Sequence, residues 1–352
     1  MPTTTIYQVP VDDTAWEFDG HTDIRFTWEY DAGSPDLLEL YEKGKAQQWN
    51  AATRIDWSQE LDEDNPMGLP DQQVPIFGTP HWDKMTDKER RWLRWNLQAQ
   101  SICQFMHGEQ GALIATAKLV NTVPDPNAKF YAATQVMDEA RHVEAYKRLI
   151  HDKFKIAYPI TASLKSLLEQ TLSDRRWDMT YLGMQVLIEG LALAAFQRIR
   201  DHATNTLAGA VNAYVMQDEA RHVAFGRLAL REFYPQLSEA ERGEREQFVV
   251  EALYFMRDRF NQADVWERSG LPVAELNAIA YDSDWMRSFR SRLFSRIVPT
   301  LKDIGLLGPT VAKALADMGV MEYAALDARA MLENDARVAD AFDQRRAAAA
   351  AS

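Results

Sequence analysis

The 352-residue chain has one cysteine, Cys103, so it can form neither an internal disulfide nor a thiolate metal cluster. It shows no run of about 20 apolar residues, which argues against a membrane span. Met1 to Asp19 has no basic start followed by an apolar stretch. A secretory signal is therefore not expected, and the cytoplasm is the simplest compartment. Basic charge is in deficit: 39 Lys and Arg against 52 Asp and Glu leave a formal charge of −13, which speaks against nucleic acid or an anionic membrane as a main partner. Outside an N-terminal arm no alternating apolar–polar run marks a strand. At 46% hydrophobic residues, the chain can still bury a large core.

Proline and capping signals divide the chain. Residues 1–33 mix Thr, Val, Tyr, Trp and Gly without a period and read as an arm over the domain. Ser34-Pro35-Asp36 opens a helix to about Trp49, with a cap, Pro at the first position and an acid in the first turn. Residues 60–81, with four prolines and two glycines, form a long loop. Thr86-Asp87-Lys88-Glu89 matches a capping box, and no proline follows until Pro124, so one helix of more than 30 residues is expected. Further helices are expected over roughly 127–153, 161–172, 175–202 and 206–232. Another opens at the Ser238–Glu241 capping box and runs to about Ala263, and others fill 283–345, before a frayed alanine tail. The reading is all-α, with four long helices at the centre. We divide it into an arm (1–33), a bundle (34–265) and a C-terminal helical extension with its tail (266–352).

Two segments nearly repeat: Asp138-Glu-Ala-Arg-His142-Val and Asp218-Glu-Ala-Arg-His222-Val, offset by 80 residues. A glutamate precedes each motif glutamate by 30 residues, Glu109 before Glu139 and Glu189 before Glu219. The midpoints are Pro124 and Thr204, each in a turn. Antiparallel helices that reverse there bring the paired glutamates level, about 22 Å from the turn at 1.5 Å per residue. Glu and His at i, i+3 share a helix face. One Glu from each of two helices thus meets Glu-x-x-His from each of the other two. Four buried carboxylates need compensation, and two divalent cations balance their charge. Oxygen and nitrogen donors without thiolate suit iron or manganese.

Glu109, Glu139, His142, Glu189, Glu219 and His222 are the expected metal ligands. Behind them, Asp138 is expected to hold His222, and Asp218 to hold His142, fixing each ring's tautomer across the bundle. Arg141 and Arg221 read as partners of these acids. His107, two residues before Glu109, faces elsewhere. His21, His81, His151 and His202 fall in loops or at helix ends, and Cys103 reads as packing.

This doubled motif resembles the ferritin-like di-iron carboxylate superfamily over roughly residues 35–235. That group includes multicomponent monooxygenase hydroxylases, acyl-carrier-protein desaturases, di-iron N-oxygenases and ribonucleotide reductase small subunits. The resemblance implies a ferritin-like four-helix bundle with added terminal helices, holding two Fe ions per chain, with Mn admissible. Two details are similar to the reductase subunit: Tyr146, four residues after His142, and Trp49, near Ile55-Asp56-Trp57. Departures are equally specific. The alanine-rich end is unlike that subunit's acidic, aromatic tail. Leu193 stands where the hydroxylases often carry threonine. Val215 stands where N-oxygenases resembling aminobenzoate oxygenase add a histidine.

The resemblance implies an oxygenase or oxidase that activates O2 to oxidise a small organic substrate by hydroxylation, N-oxygenation or desaturation. An external electron donor and a homodimer are expected with it. A radical generator using Tyr146, with Trp49 on its electron path, is the alternative; a non-enzymatic, ferritin-like iron-binding protein is the second.

Overall fold

In the computed structural model, residues 6–7, 14–20, 22–258 and 262–351 are described; His21 of the sequence reading lies outside them. The chain is 74% helical with no strand among the described residues. Helix α1 spans Pro35–Ala46, α2 Asp87–Thr122, α3 Pro126–Arg148 and α4 Ala162–Ser173. Helix α5 (Trp177–His202) is interrupted by a π-helical segment, Leu182–Ile188, directly before Glu189. Helix α6 spans Thr206–Phe233, α7 Glu239–Asp258, α8 Asp284–Leu293 and α9 Ala328–Ala351. The hairpins α2–α3 and α5–α6 form the central bundle, with α1 laid on α3 and α9 along α6.

The Thr86–Glu89 box is made in full, and α2 runs for 36 residues. Asp125 and Asn205 cap α3 and α6, accepting from Ala128 and Ala208, so both central hairpins close by the same device. The start of α1 departs from expectation. The Ser34 side chain makes no capping bond; its N–H donates instead to Asp125 (2.8 Å), tying α1 to the α2–α3 turn. The helix also stops at Ala46, three residues short of Trp49. That early end leaves Gln48 and Trp49 outside the helix and Gln47 as its C-cap, with its N–H still bonded to the Lys43 carbonyl (3.0 Å). The alanine end is a second correction: helix α9 continues through Ala351, as the best helix former allows.

One helix is nonetheless more apolar than the sequence suggests to the eye. Trp177–His202 is long and apolar enough to cross a membrane by length and composition, and 89% of its apolar window is buried inside the protein. Its polar residues Asp178, Gln185 and Glu189 interrupt the run to the eye without lowering the mean far enough. It is the most enclosed helix of the bundle, and its burial accounts for its composition.

Two positions give tests of packing. A Cβ on Gly226 would lie 2.6 Å from Cβ of Gln185, so α6 approaches the π segment only because that position lacks a side chain. Gly226→Ala is expected to cost about 1–3 kcal/mol, read as a lower midpoint in urea with an unchanged slope. Cys103 is fully buried, its sulfur accepting the Tyr158 N–H (3.2 Å), and burial pushes its thiol up to about 12. At pH 8 it therefore stays a thiol, whereas an ordinary cysteine near 8.5 is partly thiolate. Native protein should leave an aromatic disulfide reagent unreacted at that pH, and denatured protein should titrate one thiol. Rapid reaction of folded protein would contradict this burial.

Candidate metal centre

Helices α2 and α5 present Glu109 and Glu189, and α3 and α6 present the two Glu-x-x-His pairs. All six side chains are at most 5% exposed. Donor atoms of Glu109, Glu139, His142 and Glu219 lie within 4.8 Å of one another, and so do those of Glu139, Glu189 and His222. His142 Nδ1 is 3.1 Å from both Glu109 and Glu219 and 3.5 Å from Glu139. His222 Nδ1 is 3.1 Å from Glu139 and 3.4 Å from Glu219. Glu139 and Glu219 therefore lie between the two imidazoles, while Glu109 and Glu189 flank one cluster each.

The electrostatics carry the strain of this convergence. Burial, and then the charge on Glu219, pushes the carboxyls of Glu109 and Glu189 well above the usual range. Burial would also raise Glu139, but the charge on His222 and the closeness of both imidazoles hold it below the usual carboxylate range. Burial would lower both imidazoles, and the surrounding carboxylates raise them instead. Glu139 Oε2, Glu189 Oε2, both oxygens of Glu219 and His222 Nδ1 are buried without a hydrogen-bond partner. Buried acceptors that face each other without donors are costly. Two divalent cations fit them, because their charge matches four carboxylates and each takes an imidazole nitrogen. Two iron ions, with manganese admissible, suit this all-oxygen-and-nitrogen donor set.

Behind the donors lies a second buried array. His142 Nε2 faces Asp218 (3.1 Å) and His222 Nε2 faces Asp138 (3.2 Å), each acid reaching the histidine of the opposite helix. Arg141 and Arg221 each bond both aspartates, so two positive and two negative charges close on themselves. The residues that follow the early end of α1 seal it. Trp49 Nε1 donates to Asp218 (2.7 Å), Gln48 bonds Asp138 and Arg141, and Gln47 accepts from Arg221.

Tyr146 is buried one turn after His142, donating to Asn212 Oδ1 (3.2 Å) between Phe105 and Phe196. Burial, and then Glu109, raises its phenol far above the ordinary value. His107 turns away and bonds the carbonyl of Tyr158, and Cys103 packs in the core. Sequence reasoning missed Gln135, whose amide donates to Glu139 (2.9 Å) and Glu189 (3.0 Å). Its place four residues before Glu139 was the available signal. The equivalent position of the second repeat is Val215, fully buried and apolar. A narrow cavity lined by Phe105, Ala112, Ile188, Ala192 and Phe196 opens onto Glu109, Glu189 and Glu219.

A ferritin-like bundle closed over two such clusters defines a non-haem di-iron carboxylate oxidoreductase, an enzyme that activates O2 to oxidise an organic substrate. Residues 35–305 match the family described as p-aminobenzoate N-oxygenase AurF, and the chain belongs to that family. Among solved structures, the dimanganese(II) NrdF of Streptococcus sanguinis aligns over 83% of this chain and 99% of its own, with a TM-score of 0.54 and 12% identity. A point variant of an R2-like ligand-binding oxidase with an aerobically reconstituted Mn/Fe cofactor covers 80% of this chain and 96% of its own, with a TM-score of 0.51 and 18% identity. At these identities both show a shared fold. A search of curated proteins finds no match.

Proposed function

We propose that this chain N-oxygenates an aromatic amine at a di-iron centre held by Glu109, Glu139, His142, Glu189, Glu219 and His222. The observation that supports it most is the convergence of six buried donors, five of whose atoms lack any hydrogen-bond partner, in a chain of the N-oxygenase family. When bound, the metal pair supplies O2 binding and redox equivalents. The protein supplies the rest. Glu139 and Glu219, shared by the neighbourhoods of both histidines, and Glu109 and Glu189, beside one each, would hold the two ions. Asp218 and Asp138 accept from Nε2 and so keep each Nδ1 free to ligate. Phe105, Ile188 and Phe196 exclude water from the amine's approach.

In the net reaction one oxygen atom enters an N–H bond of the amine. The other leaves as water, with two electrons and two protons from an external donor. Half-buried Trp49, bonded to Asp218 and through it to His142, offers that donor a polar route inward. The same chain of contacts favours a second reading, a radical generator using Tyr146. A persistent tyrosyl signal in electron paramagnetic resonance, absent in Tyr146→Phe, would support that reading over substrate oxygenation. We further infer a cytoplasmic homodimer. Ile24, Phe26, Trp28 and Tyr30, each 61–83% exposed along the arm, form an apolar row suited to a second copy.

The test supplies ferrous protein with O2, a chemical reductant and a panel of arylamines that includes para-aminobenzoate. Hydroxylamine or nitro products carrying label from labelled O2, and their loss in Glu219→Ala, are expected. Oxygen uptake without labelled product from any amine would overturn N-oxygenation.

A further inference from the structure

A second pocket adjoins the metal cavity, and Phe105 lines both. It lies among the 69–75 loop, α2, α5 and α8, and its walls include Leu97, Trp285 and Phe289. Two arginines reach it. Arg94 is spent in a two-point pair with Asp71 (2.7 and 2.8 Å). Arg198 is different. Its one hydrogen bond to a side chain goes to the neutral amide of Gln73 (3.2 Å), and its Nε is buried with no partner. Among the described residues no carboxylate lies within ion-pairing distance of it, although nearby Arg200 and Arg296 both have theirs. Its guanidinium lies against the rings of Phe289 (5.3 Å) and Trp285 (5.7 Å). Burial, and then the charge on Arg292, lowers it to about 10, so at neutral pH it remains a cation without a counter-ion.

An unpaired, half-buried guanidinium with aromatic walls is chemically a receptor for a carboxylate carried on an apolar body. Arg198 lies nine residues beyond Glu189 on α5, about 13 Å along the axis. Nine residues are two and a half turns, so the two side chains also leave α5 on opposite faces, and a ligand joining them must run round the helix past Phe105, which lines both pockets. A single benzene ring does not bridge that distance.

We propose that Arg198 binds the carboxylate of an extended aromatic amino acid, one longer than aminobenzoate, whose body passes Phe105 and whose amine reaches the metal cavity. The proposal rests on the arylamine reading for the amine end, while the anion site stands independently of the metals. Phe105 is then the passage between recognition and reaction, packed edge-on against Phe196 (4.7 Å), and the two rings set the width.

Equilibrium binding is measured by calorimetry for aminobiphenyl carboxylate, its uncharged amide and para-aminobenzoate. The proteins are the iron-loaded chain, the same chain after chelation, Arg198→Met and Arg198→Lys. The wild type is expected to bind the biphenyl carboxylate about tenfold or more tightly than either other probe, with or without metal. Arg198→Met should bind carboxylate and amide alike at unchanged metal content, and Arg198→Lys should keep part of the preference. Exchanging an unpaired buried cation for an apolar chain favours folding; should the Met variant still fail to fold, the Lys variant carries the test. Equal binding of acid and amide by wild type, no binding of either, or full discrimination in Arg198→Met would each overturn the proposal. A carboxylate preference that survives chelation in a protein yielding no N-oxygenated product would leave the anion site standing and the reaction reading failed.

Discussion

Glu189→Ala is expected to lower bound metal from about two ions per chain to about one or fewer, and to reduce O2-dependent turnover by more than about 100-fold. The asymmetry follows from the two clusters. One brings Glu109, Glu139, His142 and Glu219 together and keeps all four in the variant. The other depends on Glu139, Glu189 and His222, and loses its flanking carboxylate. The variant also removes one of the two acceptors of the Gln135 amide, so Gln135 is left with Glu139 alone. Folding should survive, because the deletion takes away a carboxyl that burial and Glu219 already drive far above its usual range. The check is elemental analysis beside a thermal melt, on protein reconstituted anaerobically with ferrous iron. Wild type should melt higher with metal than without, since ions that bind only the folded chain stabilise it. A folded, reconstituted wild type holding no stoichiometric metal would falsify the centre itself.

The register of the site was legible because helices make long-range geometry local. Equal 30-residue intervals about Pro124 and Thr204 are enough to level Glu109 with Glu139 and Glu189 with Glu219 once the turns are placed. The structure brings all six together, with Asp138 and Asp218 behind the opposite histidines. Other features were not legible, each for a physical reason. Ser34 has every local mark of a cap, yet its backbone is drawn into a tertiary bond with Asp125 that propensity does not register. The π segment before Glu189 adds a residue to the ladder in a stretch whose composition is that of any buried helix. Gln135 looks like one more polar residue on a helix until Glu189, 54 positions away, is placed against it. Arg198 becomes notable only once no carboxylate among the described residues is found within ion-pairing distance of it. Residues whose meaning lies in what they fail to meet cannot be read from a pattern.

The two buried arrays divide the electrostatic work. The inner one, four carboxylates and two imidazoles, has no arginine or lysine to balance it, and two divalent cations would match its charge. The outer one, Asp138, Asp218, Arg141 and Arg221, is neutral by itself and gives the histidines fixed acceptors. An outer array that is neutral without metal is expected to let the apoprotein fold with its donors already aimed. Such a site would differ from small domains whose folding and metal binding are one event.

Asp218→Ala is therefore expected to damage stability and metal affinity through different contacts. The carboxylate accepts from Trp49, faces Nε2 of His142, and pairs with both arginines. Burial alone would raise it, but Arg221, His142 and Arg141 hold it well below the usual carboxylate range. Removing it leaves two buried guanidiniums sharing Asp138, a loss of about 3–5 kcal/mol for a broken buried charge pair. It also leaves the His142 ring without the acceptor that fixes its tautomer, expected to weaken metal binding by about 10–100-fold. A control isolates the two effects. Asp178, at the start of α5, forms a buried two-point pair with Arg245 of α7 (3.0 and 3.3 Å) and touches none of the six donors. Asp178→Ala should cost comparable stability while leaving iron affinity unchanged. Denaturant midpoints of the two apoproteins, set beside competitive chelator titrations, make the comparison. If Asp218→Ala tracks Asp178→Ala in both, losing stability but no affinity, then Asp218 is only a buttress of the bundle, and the cross-helix aspartates do not tune the metals.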